Sequence, residues 1–147
     1  MLIPTRALIA TESFGKSMPA PAVAEAIGRG LTEGGAPEPD LCPIALAEGS
    51  GPAELRALLD AIDFDRRMRA ARAIVVGAKR LQERALAHSP AFEISTRARQ
   101  AGVPAYAVAG ESSLDPFDAR MLDLQVIIAA ADIRALTAAG RKLATLL

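Results

Sequence analysis

Several residue types are scarce in this sequence, and each scarcity excludes a kind of site or a class of partner. The 147 residues include one cysteine, Cys42, one histidine, His88, and no tryptophan. A single cysteine excludes an internal disulfide and a cluster of thiolate metal ligands, and it suits a reducing compartment. The 17 basic and 17 acidic residues cancel and are interspersed, so the chain has no large basic field to attract nucleic acid or anionic lipid. We therefore expect neither nucleic acid nor a membrane as a partner.

Long apolar runs are also missing. No uninterrupted apolar stretch approaches the roughly 18–20 residues needed to cross a bilayer. The first residues lead into a short apolar strand instead of forming a signal-peptide pattern. We therefore expect a cytoplasmic protein with one domain over residues 1–147. Aromatic residues are only 3% of the chain, so its core must consist mainly of Ala, Val, Ile and Leu.

Short apolar runs alternate with helical patterns along the whole chain, which is typical of βα units around a parallel sheet. The runs predict five strands, at residues 7–10, 41–45, 73–77, 105–109 and 124–128. Apolar stripes at helical spacing predict helices near residues 23–31, 55–62, 94–101 and 133–147. Two arginine- and lysine-containing stretches, 63–69 and 79–88, fit neither class well, and we interpret both as short helices.

Pro43 indicates the order of the strands. It lies inside the second predicted strand, and proline is confined to edge strands, strand starts and bulges because it has no N–H to donate. An edge position for the second strand favours the order 2-1-3-4-5. The predicted fold is therefore an α/β, three-layer, flavodoxin-like domain with a five-stranded parallel sheet. In that arrangement a ligand crevice lies at the carboxyl ends of strands one and three.

The loop after the first strand nearly matches a phosphate-binding loop. Residues 10–17 follow the pattern GxxxxGK[ST], with Ala10 in place of the first glycine. The pattern also needs a strand-ending Asp for magnesium, and the sequence offers no convincing one. We interpret the segment as a looser anion site at the start of the first helix, where N–H groups are free. The alternative is that Lys16 is a solvated loop lysine and Ser17 a polar residue leading into the helix.

Two further loops carry polar residues. Glu48 follows the second strand among glycines and serine, as a metal-phosphate or polyol site would require, although a plain turn has the same composition. Lys79 and Arg80 follow the third strand, where they would either pair with phosphate or carboxylate oxygens or remain solvated. Nothing in the spacing suggests a catalytic triad, and we interpret His88 as a structural loop residue.

Taken in order, these loops resemble the bacterial glycerate kinase family. Residues 12–17 are similar to the family's D-S-F-K-G-S loop, residues 45–51 to its P-L-A-D-G-G-E-G segment, and residues 77–90 to G-E-G-R-x-D-x-Q-[ST]-x-x-G-K-x-P. Residues 97–110 look like the next helix and strand. The resemblance covers almost the whole chain, but family members are more than twice as long, because a second α/β domain is inserted near residues 63–69.

The resemblance implies a site that has lost its acids. In residues 45–51, Glu48 matches one of the two acids of the family's segment, and the other acid is absent. In residues 77–90, Ala78 stands where the family has Glu and Gln82 stands where it has Asp. It therefore implies a catalytically degenerate, glycerate-kinase-like module that binds a small anionic metabolite or regulates another protein, with no catalytic residue, metal or cofactor. The residues expected to bind the anion are Ser13, Lys16, Ser17, Glu48 and Arg80.

Two alternatives remain open. In the first, the chain is one subunit of a split glycerate kinase, which uses ATP and magnesium and receives the missing domain from a partner polypeptide. Glu48 would then bind the metal ion and Lys16 the phosphate. Otherwise it is an oligomeric scaffold whose exposed interface includes Phe64, Met68 and Phe117.

Overall fold

The computed structural model describes residues 4–47, 49–81, 89–114 and 116–147. Its centre is a five-stranded parallel sheet with the order β2-β1-β3-β4-β5, which confirms the α/β, flavodoxin-like fold and the predicted strand order. The strands are β1 (Ala7–Thr11), β2 (Asp40–Pro43), β3 (Ala73–Leu81), β4 (Ala105–Ser112) and β5 (Leu124–Ala129).

Helices cover both faces of the sheet. They are α1 (Ala20–Glu33), α2 (Pro52–Ala61), α3 (Phe64–Arg69), α4 (Pro90–Ala101), α5 (Pro116–Met121) and α6 (Ile133–Ala144). Helices α1 and α6 pack on one face around Ile9 and Val75, and α2, α3 and α4 pack on the other around Leu8 and Ile74. None of the helices in the described ranges is long and apolar enough to cross a bilayer.

The contact between α1 and α6 depends on glycine. A Cβ atom on Gly30 would lie 2.0 Å from the carbonyl oxygen of Thr137, and one on Gly140 would lie 2.2 Å from that of Ile27. Both distances are far below any real carbon–oxygen contact. The two helix backbones are therefore in direct contact at these glycines. In this chain with few aromatic residues, small residues allow the close packing of the two helices.

The edge strand β2 is shielded on its open side. Pro43 has no N–H there, and the side chain of Arg67 on α3 covers the preceding backbone. The Arg67 guanidinium donates from Nε to Asp40 Oδ2 at 3.0 Å, from Nη2 to Asp40 Oδ1 at 2.6 Å, and from Nη2 to the Leu41 carbonyl at 2.9 Å. The predicted short helix at residues 63–69 is thus confirmed as α3, and its Arg67 side chain binds the edge strand β2.

Several predicted boundaries were wrong. Strands β3 and β4 extend past residues 77 and 109 because they pair with each other as far as Leu81 and Ser112, so Lys79 and Arg80 lie in β3 and not in a helix or loop. Residues 82–88, including His88 and Gln82, lie outside the described residues, as do Glu48 and Asp115.

The surface proposed for a scaffold also changes. Phe64 is 0% exposed and Met68 is 1% exposed, because they are the two side chains that anchor α3 to the core. Only Phe117 of the three predicted interface residues is exposed, at 63%. The structure therefore does not place these three residues on one accessible surface.

Candidate functional site

A crevice of about 380 Å³ lies at the carboxyl ends of β1 and β2. It is lined by Glu12 and Ser13 after β1, the first turn of α1, the segment from Ile44 to Ala47 after β2, and Pro90 at the start of α4. Its position differs from the predicted one between β1 and β3. Strand β3 continues beyond Gly77, its partner residue for Thr11, and the Glu12 N–H donates to the Gly77 carbonyl at 3.1 Å. That hydrogen bond joins the end of β1 to β3, and the crevice lies on the β2 side.

Among the described residues that line this crevice, Glu12 is the acidic one. It directly follows β1, all five residues of which are buried, so its carboxyl lies close to the apolar interior. Burial disfavours the charged form and raises the pKa of Glu12 from 4.5 to about 7. Within the described part of the chain, the Glu12 carboxyl has no hydrogen-bond or ion-pair partner. A carboxyl with a pKa near neutrality can both accept and donate a proton at physiological pH.

Ser13 is the predicted site residue that, within the described part of the chain, lines the crevice with Glu12. Its hydroxyl is exposed and has no hydrogen-bond partner among the described residues, so a ligand can use it. The other nearby hydroxyl, Ser50 Oγ, already donates to the Ala47 carbonyl at 2.6 Å and holds the turn after β2. Glu12 and Ser13 are therefore adjacent polar groups that both face the same space.

Lys16, Ser17 and Arg80 lie outside the lining of the crevice. Lys16 and Ser17 are exposed on the loop between β1 and α1. Arg80 is exposed as well, and its Nε lies 3.5 Å from Glu111 Oε2 on the neighbouring strand β4. Glu48 is outside the described residues, so the structure brings together only one of the five predicted residues with Glu12.

The loop between β1 and α1 is a tight turn. Phe14 is buried, its N–H donates to the Met18 carbonyl at 2.9 Å, and the Met18 N–H donates to the Gly15 carbonyl at 3.1 Å. Gly15 has a φ of +114°, a conformation that side-chain-bearing residues rarely adopt. A Cβ atom at Gly15 would lie 3.7 Å from Lys79 Nζ, so the ammonium of Lys79 lies against this turn.

The N-terminus of α1 faces the crevice but offers few donors. Pro19 occupies the N-cap position, without a side-chain cap, and Pro21 lies in the first turn. Neither proline has an N–H group. Of the first four backbone positions, only Ala20 and Ala22 retain a donor, so the helix contributes less to an anion site than expected from sequence.

Glu12 is the functional candidate that sequence reasoning missed. In the sequence, Glu12 is one residue of the loop motif, and an acid after a strand is common. What distinguishes Glu12 is its raised pKa, which depends on burial in the folded chain. A signal was nonetheless present, since Glu12 immediately follows a wholly apolar strand at the predicted carboxyl edge of the sheet. The crevice that Glu12 lines is itself formed by residues distant in sequence, including Ile44 and Pro90.

No metal site is apparent among the described residues: within them, no three His, Cys, Asp or Glu side chains are grouped as ligands. Glu12 alone supplies one carboxylate, whereas magnesium and calcium are held by several oxygen ligands. The chain matches no protein-family model and no curated protein sequence.

Proposed function

We propose that this chain is a glycerate-kinase-like domain that binds a small hydroxy acid in the crevice beside Glu12. The observation that carries the proposal is the partly buried Glu12 carboxyl, with a pKa of about 7, next to the free hydroxyl of Ser13. Together with the resemblance of residues 12–17 to the glycerate kinase loop, this supports a binding or regulatory role.

The charges around the crevice favour a particular orientation of the ligand. An anionic group placed against Glu12 would be repelled whenever that carboxyl is ionised, whereas a hydroxyl group can donate to it. The carboxylate end of the ligand would then point away from Glu12, where the free hydroxyl of Ser13 can donate to it. Glycerate has both groups, with two hydroxyls next to one carboxylate.

Calorimetric titration with glycerate, phosphoglycerate and ATP tests this function. We expect saturable binding of glycerate at millimolar concentration or below, weakened at least tenfold by Glu12→Gln, which keeps the shape but removes the charge. The control is Glu25→Gln, which changes an exposed glutamate on the outer side of α1 and should bind like wild type. Absence of heat with all three ligands, or equal affinity in the Glu12 and Glu25 variants, would contradict the proposal.

The near-neutral pKa of Glu12 favours a second candidate, a subunit of a split glycerate kinase. A base that removes a proton from the attacking hydroxyl works best with a pKa near the operating pH, and Glu12 has such a pKa. Phosphoryl transfer also needs magnesium ligands and cations for the phosphates, which a partner polypeptide would supply. An assay of ADP release by the purified complex distinguishes this candidate: turnover that Glu12→Gln abolishes supports it, and absence of turnover removes it.

A further inference from the structure

The arginines of α3 and the turn after it have no role in the crevice. Arg66, Arg67, Arg69 and Arg72 fall within seven residues of the sequence. A fifth arginine, Arg6, joins them because β1 and β3 are neighbours, and the Arg72 N–H donates to the Arg6 carbonyl at 2.9 Å. This basic cluster lies at the amino-terminal edge of the sheet, opposite the crevice.

The way α3 packs keeps these arginines outside the core. Phe64 and Met68 are buried under the sheet, which leaves Arg66 and Arg69 on the outer side of the helix. Arg67 folds back to bind Asp40 through both of its carboxylate oxygens. The negative charge of Asp40 is therefore neutralised by Arg67, and Asp40 does not form an ion pair with the other arginines of the cluster.

A cavity of about 230 Å³ opens within this cluster, lined by Arg6, Asp40, Arg66, Arg67, Ala70 and Ala71. The charged residues of its lining are three arginines and one aspartate, so the lining residues carry a net charge of +2. The Arg6 side chain is exposed and has no ion-pair or hydrogen-bond partner in the described ranges. Arg66 is paired with Asp63, but both side chains are largely exposed, at 73% and 60%, and exposed ion pairs of this kind are weak because water screens them.

We propose that this cavity binds a phosphate group, either free phosphate or the phosphoryl group of a small metabolite. Guanidinium groups present paired N–H donors that match the oxygens of a phosphate, and two such groups, Arg6 and Arg66, are available for a dianion. Arg67, held by Asp40, fixes the back of the site. The small volume suits a compact group and not an extended polymer.

Titration with inorganic phosphate, pyrophosphate and glycerol 3-phosphate, followed by calorimetry at low salt, tests the site. We expect saturable binding that weakens at least tenfold in the double variant R6Q/R66Q. The matched control is R56Q, which removes an exposed arginine on α2 away from the cavity and should leave the affinity unchanged. Tighter binding of glycerol 3-phosphate than of inorganic phosphate would support a metabolite, and the reverse would support the free anion.

The variant E12Q separates this site from the crevice, because it changes the opposite edge of the sheet and should bind phosphate like wild type. Both Arg6 and Arg66 are exposed, so R6Q/R66Q should unfold at the same temperature as wild type without ligand. The proposal is overturned if none of the three compounds binds, if R6Q/R66Q binds as wild type does, or if R56Q loses affinity equally.

Discussion

The stability of this protein should depend on pH through Glu12. Burial raises the pKa of Glu12 from 4.5 to about 7, so the folded chain holds this proton more tightly than the unfolded chain. As the pH rises through this interval, the unfolded chain ionises first, and the folded state loses stability until the pH exceeds the folded pKa. Each pKa unit corresponds to about 1.4 kcal/mol, so the total loss is on the order of 3 kcal/mol.

Replacing Glu12 with glutamine removes this titration. We expect Glu12→Gln to match wild type in free energy of unfolding near pH 4 and to exceed it by on the order of 3 kcal/mol at pH 8, because glutamine has no charge to desolvate. Urea denaturation of both proteins at a series of pH values measures this difference, from which the effects of other titrating groups cancel. The exposed-site variant Glu25→Gln serves as the control and should follow wild type. A difference between Glu12→Gln and wild type that does not change with pH would refute the reasoning.

Two further predictions concern the packing of the fold. Gly30→Ala should lower the free energy of unfolding by roughly 1–3 kcal/mol, because its Cβ would meet the Thr137 carbonyl, whereas Gly28→Ala in the same helix meets only side-chain atoms at 3.0 Å or more and should be close to neutral. Thermal denaturation distinguishes them, and equal effects would contradict the direct backbone contact. Arg67→Ala should destabilise the protein by about 1–3 kcal/mol, since its pair with Asp40 is about one-fifth exposed and lies between the surface and buried classes. Size-exclusion chromatography should also show self-association through the opened edge of β2, and a fully stable monomer would argue against this role of Arg67.

The strand order could be predicted because it depends on a local property of one residue. Pro43 lacks a backbone donor, which favours an edge position for the second strand over an interior one. The lengths of β3 and β4 could not be predicted in the same way. Lys79 and Arg80 are charged and indicated a loop or short helix, but pairing of the two strands beyond Gly77 keeps both residues in β3, with Arg80 opposite Glu111.

The candidate site was only partly predictable, for a similar reason. Ser13 could be placed at the edge of the sheet from its position after a strand. The burial of Glu12 and the pairing of Arg67 with Asp40 depend on residues far away in the chain, 27 positions apart in the second case. The prolines at the start of α1 are visible in the sequence. That they remove N–H donors from an anion site follows only from the structure, which places Pro19 at the N-cap.

The most direct test of the account is an NMR titration with glycerate that follows the Glu12 carboxyl carbon and the backbone amide of Ser13. The account predicts saturable shifts at both groups in wild type, with Arg6 and Arg66 at the opposite edge unaffected. In Glu12→Gln the shift of the Ser13 amide should need at least tenfold more glycerate. Signals at the crevice that stay fixed at millimolar glycerate, or shifts confined to the arginine cavity, would contradict the claim that the crevice beside Glu12 is the hydroxy-acid site.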